Sequence, residues 1–149
     1  MRTDPIGIVL FATATVNGDI TGPELVLPAG YSRMIIKLQN GAATGTTPTL
    51  NCYVQEGVRD VVAADIVGSR PTGSVVWNDY VAFTQTTTTA TRYARIKEGS
   101  SVEAVAADAA LAAGTIRNGP IPQRVRVKID VGGTNPSFAT VSVIAELMP

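Results

Sequence analysis

The stretch Gly45-Thr46-Thr47-Pro48-Thr49-Leu50-Asn51-Cys52-Tyr53-Val54 recurs near the C-terminus as Gly133-Thr134-Asn135-Pro136-Ser137-Phe138-Ala139-Thr140-Val141-Ser142-Val143. What precedes each copy also matches: Arg33-Met34-Ile35-Ile36-Lys37-Leu38 before the first, Arg124-Val125-Arg126-Val127-Lys128-Ile129 before the second. Each copy reads as strand, Gly-Thr-X-Pro connection, strand. Gly permits a sharp turn, and Pro cannot donate to a ladder, so it belongs at a turn or a strand's first residue. Two copies of one hairpin predict a sandwich of two related halves. The copies are too few and too far apart for a solenoid.

Working outward, most of the chain carries strand signals. Ile6 to Val16 is rich in β-branched and aromatic residues and ends at Asn17-Gly18-Asp19. The apolar part, Ile6 to Phe11, is too short for a signal peptide, and Asp4 and Pro5 interrupt the basic end before it, so a first strand is expected. Glu24 to Leu27 is a short strand before Pro28-Ala29-Gly30. In Tyr31 to Gln39, Met34, Ile36 and Leu38 share one face; in Thr49 to Glu56, Leu50, Cys52 and Val54 do. Val58 to Val67 fits either a strand or a helical turn. Ser74 to Phe83 holds Val75, Trp77, Tyr80, Val81 and Phe83 and is expected to be a core strand, with a break at Asn78-Asp79. Thr86 to Thr89 suits an exposed surface strand, and Thr91 to Lys97 is another short strand.

Ser100 to Ala113 departs from this pattern. Ser100 and Glu103 have capping-box spacing, an Ala-rich run follows, and Gly114 suits the position after a helix end. One short helix is expected there. Gln123 to Val131 alternates most cleanly, with Val125, Val127, Ile129 and Val131 on one side and Arg124, Arg126, Lys128 and Asp130 on the other. In the last strand, Ser137 to Leu147, the inward set Ala139, Val141, Val143, Ala145 and Leu147 is out of phase with the first copy. A bulge or burial on both faces would account for it. The whole predicts one all-β domain over 1–149, an antiparallel β-sandwich or jelly roll of about eight strands with one short helix.

Composition narrows function mainly by exclusion. The 12 Lys and Arg balance the 12 Asp and Glu, which argues against a nucleic-acid or anionic-membrane binder. No run approaches the ~20 apolar residues of a membrane-spanning helix. There is no histidine, so Ser-His and Cys-His pairs and His-containing zinc sites are absent. The single cysteine, Cys52, forms no intrachain disulfide and reads as a buried small hydrophobe. No Walker loop, GxGxxG, CxxC or HExxH occurs, and Gly132-Gly133 reads as a turn. Glu56, Asp60, Asp65 and Asp79 have no spacing that demands proximity and read as solvated charges. No catalytic residue, cofactor or metal is expected. With only 16% charged residues, a free monomer is expected to self-associate, as a dimer in preference to a trimer, through the strand-like ends Ile6 to Val16 and Ser137 to Leu147. Arginine outnumbers lysine nine to three, and Arg124, Arg126 and Lys128 stand about 6.6–7 Å apart along one face. They form a candidate partner contact, with Asn51 and Tyr53 as further candidates.

Three segments, Gly45 to Glu56, Trp77-Asn78-Asp79-Tyr80-Val81-Ala82-Phe83-Thr84, and Arg126-Val127-Lys128 with Gly133 to Phe138, resemble small structural proteins from the virion-morphogenesis regions of tailed phages. The resemblance covers most of the chain from Tyr31 onward and is to capsid cement or decoration proteins, several of which are jelly rolls. It implies a non-enzymatic virion protein, made in the host cytoplasm, that binds the major capsid protein on the outside of an icosahedral head. A tail-tube, tail-terminator or head–tail joining protein is the alternative within this class. A carbohydrate-binding β-sandwich module is the alternative outside it, disfavoured by the few aromatics, which fall mostly in strand-core phase.

Overall fold

The computed structural model describes residues 4–59, 66–67, 70–71, 73–97, 111–117 and 120–149. Its strands are β1 (Ile6–Val16), β2 (Ile20–Thr21), β3 (Leu25–Val26), β4 (Arg33–Asn40), β5 (Ala43–Arg59), β6 (Ile66–Val67), β7 (Arg70–Pro71), β8 (Val75–Ala82), β9 (Ala90–Lys97), β10 (Thr115–Ile116) and β11 (Arg124–Met148). Every pairing is antiparallel. The fold is all-β, of the sandwich or jelly-roll-like kind, and no helix occurs among the described residues.

Strand β11 organises the molecule. Its first half lies between β5 on one side and β2 with β3 on the other; its second half lies between β4 and β1. One layer continues outward from β5 to β8 and β10, and the other from β4 to β9. The 25-residue strand therefore belongs to both layers. A single cluster of buried residues joins them, including Met34, Ile36, Leu50, Cys52, Val54, Tyr80, Val127, Ile129, Phe138, Val143 and Leu147.

The alternation read in the sequence sets this core. Met34, Ile36, Leu38, Leu50, Val54, Val125, Val127 and Ile129 are all buried, and their intervening neighbours face out or lie half-buried. Cys52 is buried as expected, and desolvation pushes its thiol pKa far up. The segments Gln123 to Val131 and Ser137 to Leu147, expected as two strands, are one. The phase change between them comes from bulges: Gly133, Asn135 and Thr140 have φ of 109°, 48° and 47°. Phe138 and Val141 are both buried across the last of these.

The repeated motif takes a form that a hairpin reading misses. Neither Gly-Thr-X-Pro copy is a connection; each lies inside a strand, and Gly132-Gly133 is not a turn. The first copy falls in β5, the second in β11, and they pair with each other through Thr46 and Thr134 and through Thr44 and Ser137. Their backbones match. Gly45 and Gly133 have φ of 105° and 109°, and Thr47 and Asn135 both have 48°. A Cβ on Gly45 would stand 2.5 Å from the Asn135 carbonyl oxygen, and one on Gly133 would stand 2.7 Å from that of Thr47. The pair of bulges is thus a local two-fold element that fits only glycine at both close approaches. The crossing from β4 into β5 is made at residues 41–42, where Gly41 N–H donates to the Ala139 carbonyl (2.7 Å) and Ala139 N–H to that of Ala42 (3.0 Å).

Other expectations also shift. The helix expected over Ser100 to Ala113 lies, for residues 100–110, outside the described residues; residues 111–113 are not helical, and Gly114 adopts φ 79°. Of Val58 to Val67, Val58 and Arg59 continue β5, while 60–65 lie outside the described residues. The expected break at Asn78-Asp79 is a bulge at Tyr80, between the pairs Val54 with Val81 and Gln55 with Asp79. The threonine run is no strand: Thr86 is buried and bridges Leu50, and Thr87 to Thr89 form an exposed bend. The ends expected to pair between molecules, Ile6 to Val16 and Ser137 to Leu147, pair within one chain as β1 and β11.

The crossing and the core are tested by three predictions. Gly45→Ala or Gly133→Ala should each cost about 2–4 kcal/mol in urea unfolding, from backbone strain plus a backbone clash, whereas Gly7→Ala, with nothing within 4 Å of the added Cβ, should be near neutral. Thr47→Asn, which copies the second motif, should raise stability by up to about 1 kcal/mol, because Asn tolerates the left-handed region better than a β-branched residue. A loss of stability in Thr47→Asn would contradict that reading. Separately, Cys52 should resist thiol-alkylating reagents in the native protein and react fully in denaturant.

Candidate partner-binding face

The outward face of β8, β5 and β11 carries the predicted cation row and much that the sequence did not reveal. Strand β11 presents Arg124, Arg126 and Lys128 on the side opposite the buried Val125, Val127 and Ile129. None of the three stands alone. Arg124 Nη1 lies 2.8 Å from Glu24 Oε1, and Lys128 Nζ lies 3.1 Å from Asp130 Oδ2. Arg126 Nε donates to Gln55 Oε1 at 2.8 Å.

Register explains why Arg126 is the best held. Arg126 pairs with Gln55 on β5, and Gln55 pairs with Asp79 on β8. Gln55 Nε2 donates to Asp79 Oδ1 at 2.9 Å, and the Leu111 backbone N–H donates to Asp79 Oδ2 at 3.2 Å. One row thus runs from the Arg126 guanidinium through an amide to a buried carboxylate. Trp77, one position along β8, lies over Gly57 of β5; a Cβ there would meet the indole at 3.1 Å. The missing side chain lets the ring reach across β5, and the Arg126 guanidinium carbon sits 4.4 Å from the ring centroid. On the next row, Lys128 Nζ is 5.6 Å from the Tyr53 ring centroid.

The electrostatics match this packing. Partial burial lowers the pKa of Arg126, which stays charged. The hydrogen bond that Lys128 donates to Asp130 raises the pKa of Lys128, with burial opposing it. This pair contributes stability below the ordinary lysine range and loses it as pH rises through the raised value. Burial, then the Asp130 charge, raises the pKa of Tyr53. Both members of the Lys128–Asp130 pair are more than a third exposed, so its worth is a few tenths of a kcal/mol.

Two sequence readings are corrected here. Asp79 and Glu56 are not solvated charges: Asp79 is 7% exposed inside the network, and Glu56 Oε1 lies 3.8 Å from Arg117 Nε. Trp77 is not a core residue; it is half-buried on the outer face, while Tyr80, Val81 and Phe83 of the same stretch are in the core. Tyr53 faces out as proposed, and Asn51 joins Gln85 by a 3.0 Å hydrogen bond. Gly57, Gln55 and Trp77 were missed because their roles depend on cross-strand register. The only local signal was Gly57 inside a strand, which marks a close approach. Asp60 and Asp65 lie outside the described residues.

No family model matches this sequence, and no curated protein matches it. Among solved structures, the chain is similar to one in a structure of infectious bursal disease virus, Gx strain, at 9% identity and a TM-score of 0.48. The match covers 98% of this chain and 32% of that one, so this chain spans about a third of its length.

Asp79→Asn should be more damaging than any change in the exposed cations. Its amide would set a donor against either Gln55 Nε2 or the Leu111 N–H, at a cost of about 1–3 kcal/mol. Arg124→Ala should cost under about 1 kcal/mol. Urea unfolding of both variants checks the order, and equal costs would dissolve the network as a unit.

Proposed function

We propose that this protein is a non-enzymatic virion component, a cement or decoration protein that binds the major capsid protein on the outside of a phage head. The observation that carries this reading is the convergence of the residues behind the phage resemblance. Gly45 to Pro48 pairs with Gly133 to Pro136, and on the layer beside them Trp77, Tyr53, Arg126 and Lys128 build one outward face.

Arg126 is the centre of that face. Its Nε–H is held by Gln55 and its plane by Trp77, while its Nη groups have no hydrogen-bond partner among the described residues. A guanidinium pinned in this way presents a fork suited to a capsid carboxylate, and little conformational freedom remains to be lost on docking. Arg124 and Lys128 flank it and can exchange their exposed intramolecular partners for acidic groups of the shell. Each contact is modest, so affinity would come from several copies of the contact acting together. Binding the assembled shell but not free capsid subunits would stabilise the head by mass action.

The carbohydrate-module alternative loses ground on this geometry. Trp77 and Tyr53 do face outward, yet each has a cation over its ring, which occupies the surface a sugar would stack on. A tail-tube, tail-terminator or head–tail joining role differs in location, which the test distinguishes.

The experiment is add-back of purified protein to heads that lack it, with bound protein measured after sedimentation. The double reversal Arg124→Glu with Lys128→Glu should weaken head binding at least tenfold while unfolding cooperatively as the native protein does. Arg126→Lys should also weaken it, because a point charge does not replace the fork. Heads with the native protein should retain DNA to a higher temperature than heads without it. Unchanged binding by the reversed variant, or a protein found only in the tail or at a single vertex, would overturn the proposal.

A further inference from the structure

The second layer has an outward face of different character. Three large hydrophobic residues stand exposed there: Val9 on β1 at 59%, Ile144 on β11 at 41% and Tyr93 on β9 at 58%. Register aligns them. Val9 pairs with Ile144, Ile144 with Lys37, and Lys37 with Tyr93, so one row crosses all four strands. The adjacent row on the same face is Gly7, Glu146, Ile35 and Arg95. Lys37 and Glu146 sit among these apolar side chains with no hydrogen-bond or ion-pair partner among the described residues.

We propose that this face is an isologous contact between two copies of the chain, with Glu146 of each copy meeting Lys37 of the other. The arrangement of the central four residues carries the argument. On β11 and β4 they form a two-by-two block, with Ile144 beside Lys37 and Glu146 beside Ile35. Two sheets packed face to face by a two-fold axis must have that axis in the plane between them. Four axes through the block are possible. An axis across the strands, or along them, sets each charge against an isoleucine. The diagonal through Glu146 and Lys37 sets like charges against each other. The diagonal through Ile144 and Ile35 sets Ile144 on Ile144 and Ile35 on Ile35, and brings Glu146 onto Lys37 twice.

The same axis gives the exposed tyrosine a seat. With strands about 4.8 Å apart and same-face residues about 6.8 Å apart, it carries Tyr93 over Gly7 of the second copy. Gly7 has no side chain, and nothing lies within 4 Å of where its Cβ would be. The ring therefore enters a notch between Pro5 and Val9, which line a surface hollow with Ile35, Lys37, Tyr93 and Ile144. The two rows on four strands cover roughly 260 Å² per copy, about a third of a standard interface side. The dimer is accordingly weak, in the micromolar to millimolar range, and would be favoured where copies are concentrated. The face lies on the layer opposite the Arg126 network, so both contacts can be made at once.

The test uses the purified full chain without heads, so its outcome is independent of the capsid reading. Sedimentation equilibrium up to about 1 mM should show a monomer–dimer equilibrium for the native protein. Glu146→Lys and Lys37→Glu should each weaken it at least tenfold, and mixing the two variants should restore dimers, because both ion pairs re-form in the heterodimer. Gly7→Val should also weaken it by closing the notch. With a short bis-maleimide, which spans the roughly 10 Å between sheets packed face to face, Ile144→Cys should cross-link to itself, the buried Cys52 taking no part. A native protein that stays monomeric without Ile144→Cys cross-linking overturns the proposal. So does a dimer that persists unchanged in both charge variants, since another surface would then hold it.

Discussion

The structure depends on one ladder, in which residues 33–59 and 124–148 run antiparallel along their whole common length. A strand of 25 residues cannot stay straight and serve two packed layers. Both members of the ladder must bend at the same place, or their register would slip and turn core side chains toward solvent. The paired Gly-Thr-X-Pro segments meet that requirement. Each supplies one glycine and one further residue in the left-handed region, and they sit opposite each other, so the two strands bend together. The tight approach of Gly45 to Asn135 and of Gly133 to Thr47 is the steric cost of that bend.

From this bend follow two outward faces with unlike chemistry. On one layer, Gly57 lets Trp77 reach across β5, and the row from Arg126 through Gln55 to Asp79 fixes the neighbouring cation. Arg126 Nε, the Gln55 amide and the Asp79 carboxylate are all partnered, so the row is held in place, and the Arg126 Nη groups remain as its unpaired donors among the described residues. On the other layer, the opposite phase of β11 after Phe138 turns Ile144 and Glu146 out and Val143, Ala145 and Leu147 in. There Lys37 and Glu146 have no hydrogen-bond or ion-pair partner among the described residues, and Val9, Tyr93 and Ile144 stand exposed.

The sequence by itself determined the class of fold and most of the core. Period-two burial at Met34, Ile36, Leu38, Val125, Val127 and Ile129 needs only that one side of each strand be dry, and that is a local property. The same reasoning placed Arg124, Arg126 and Lys128 on a shared outward face. Tertiary structure alone decided what depends on which strands become neighbours. The repeated motif was visible as a repeat, but only pairing across 88 positions shows that it is a matched pair of bulges and not two hairpins. Trp77 looked like a core residue until register laid it over Gly57, and Asp79 looked solvated until Gln55 was set beside it. The row of Val9, Ile144, Lys37 and Tyr93 comes from four strands far apart in the chain. The physical reason is common to all of these. Alternation reports which side of one strand faces the core, whereas cross-strand neighbours are fixed by the bend and register of β11, which no local pattern encodes.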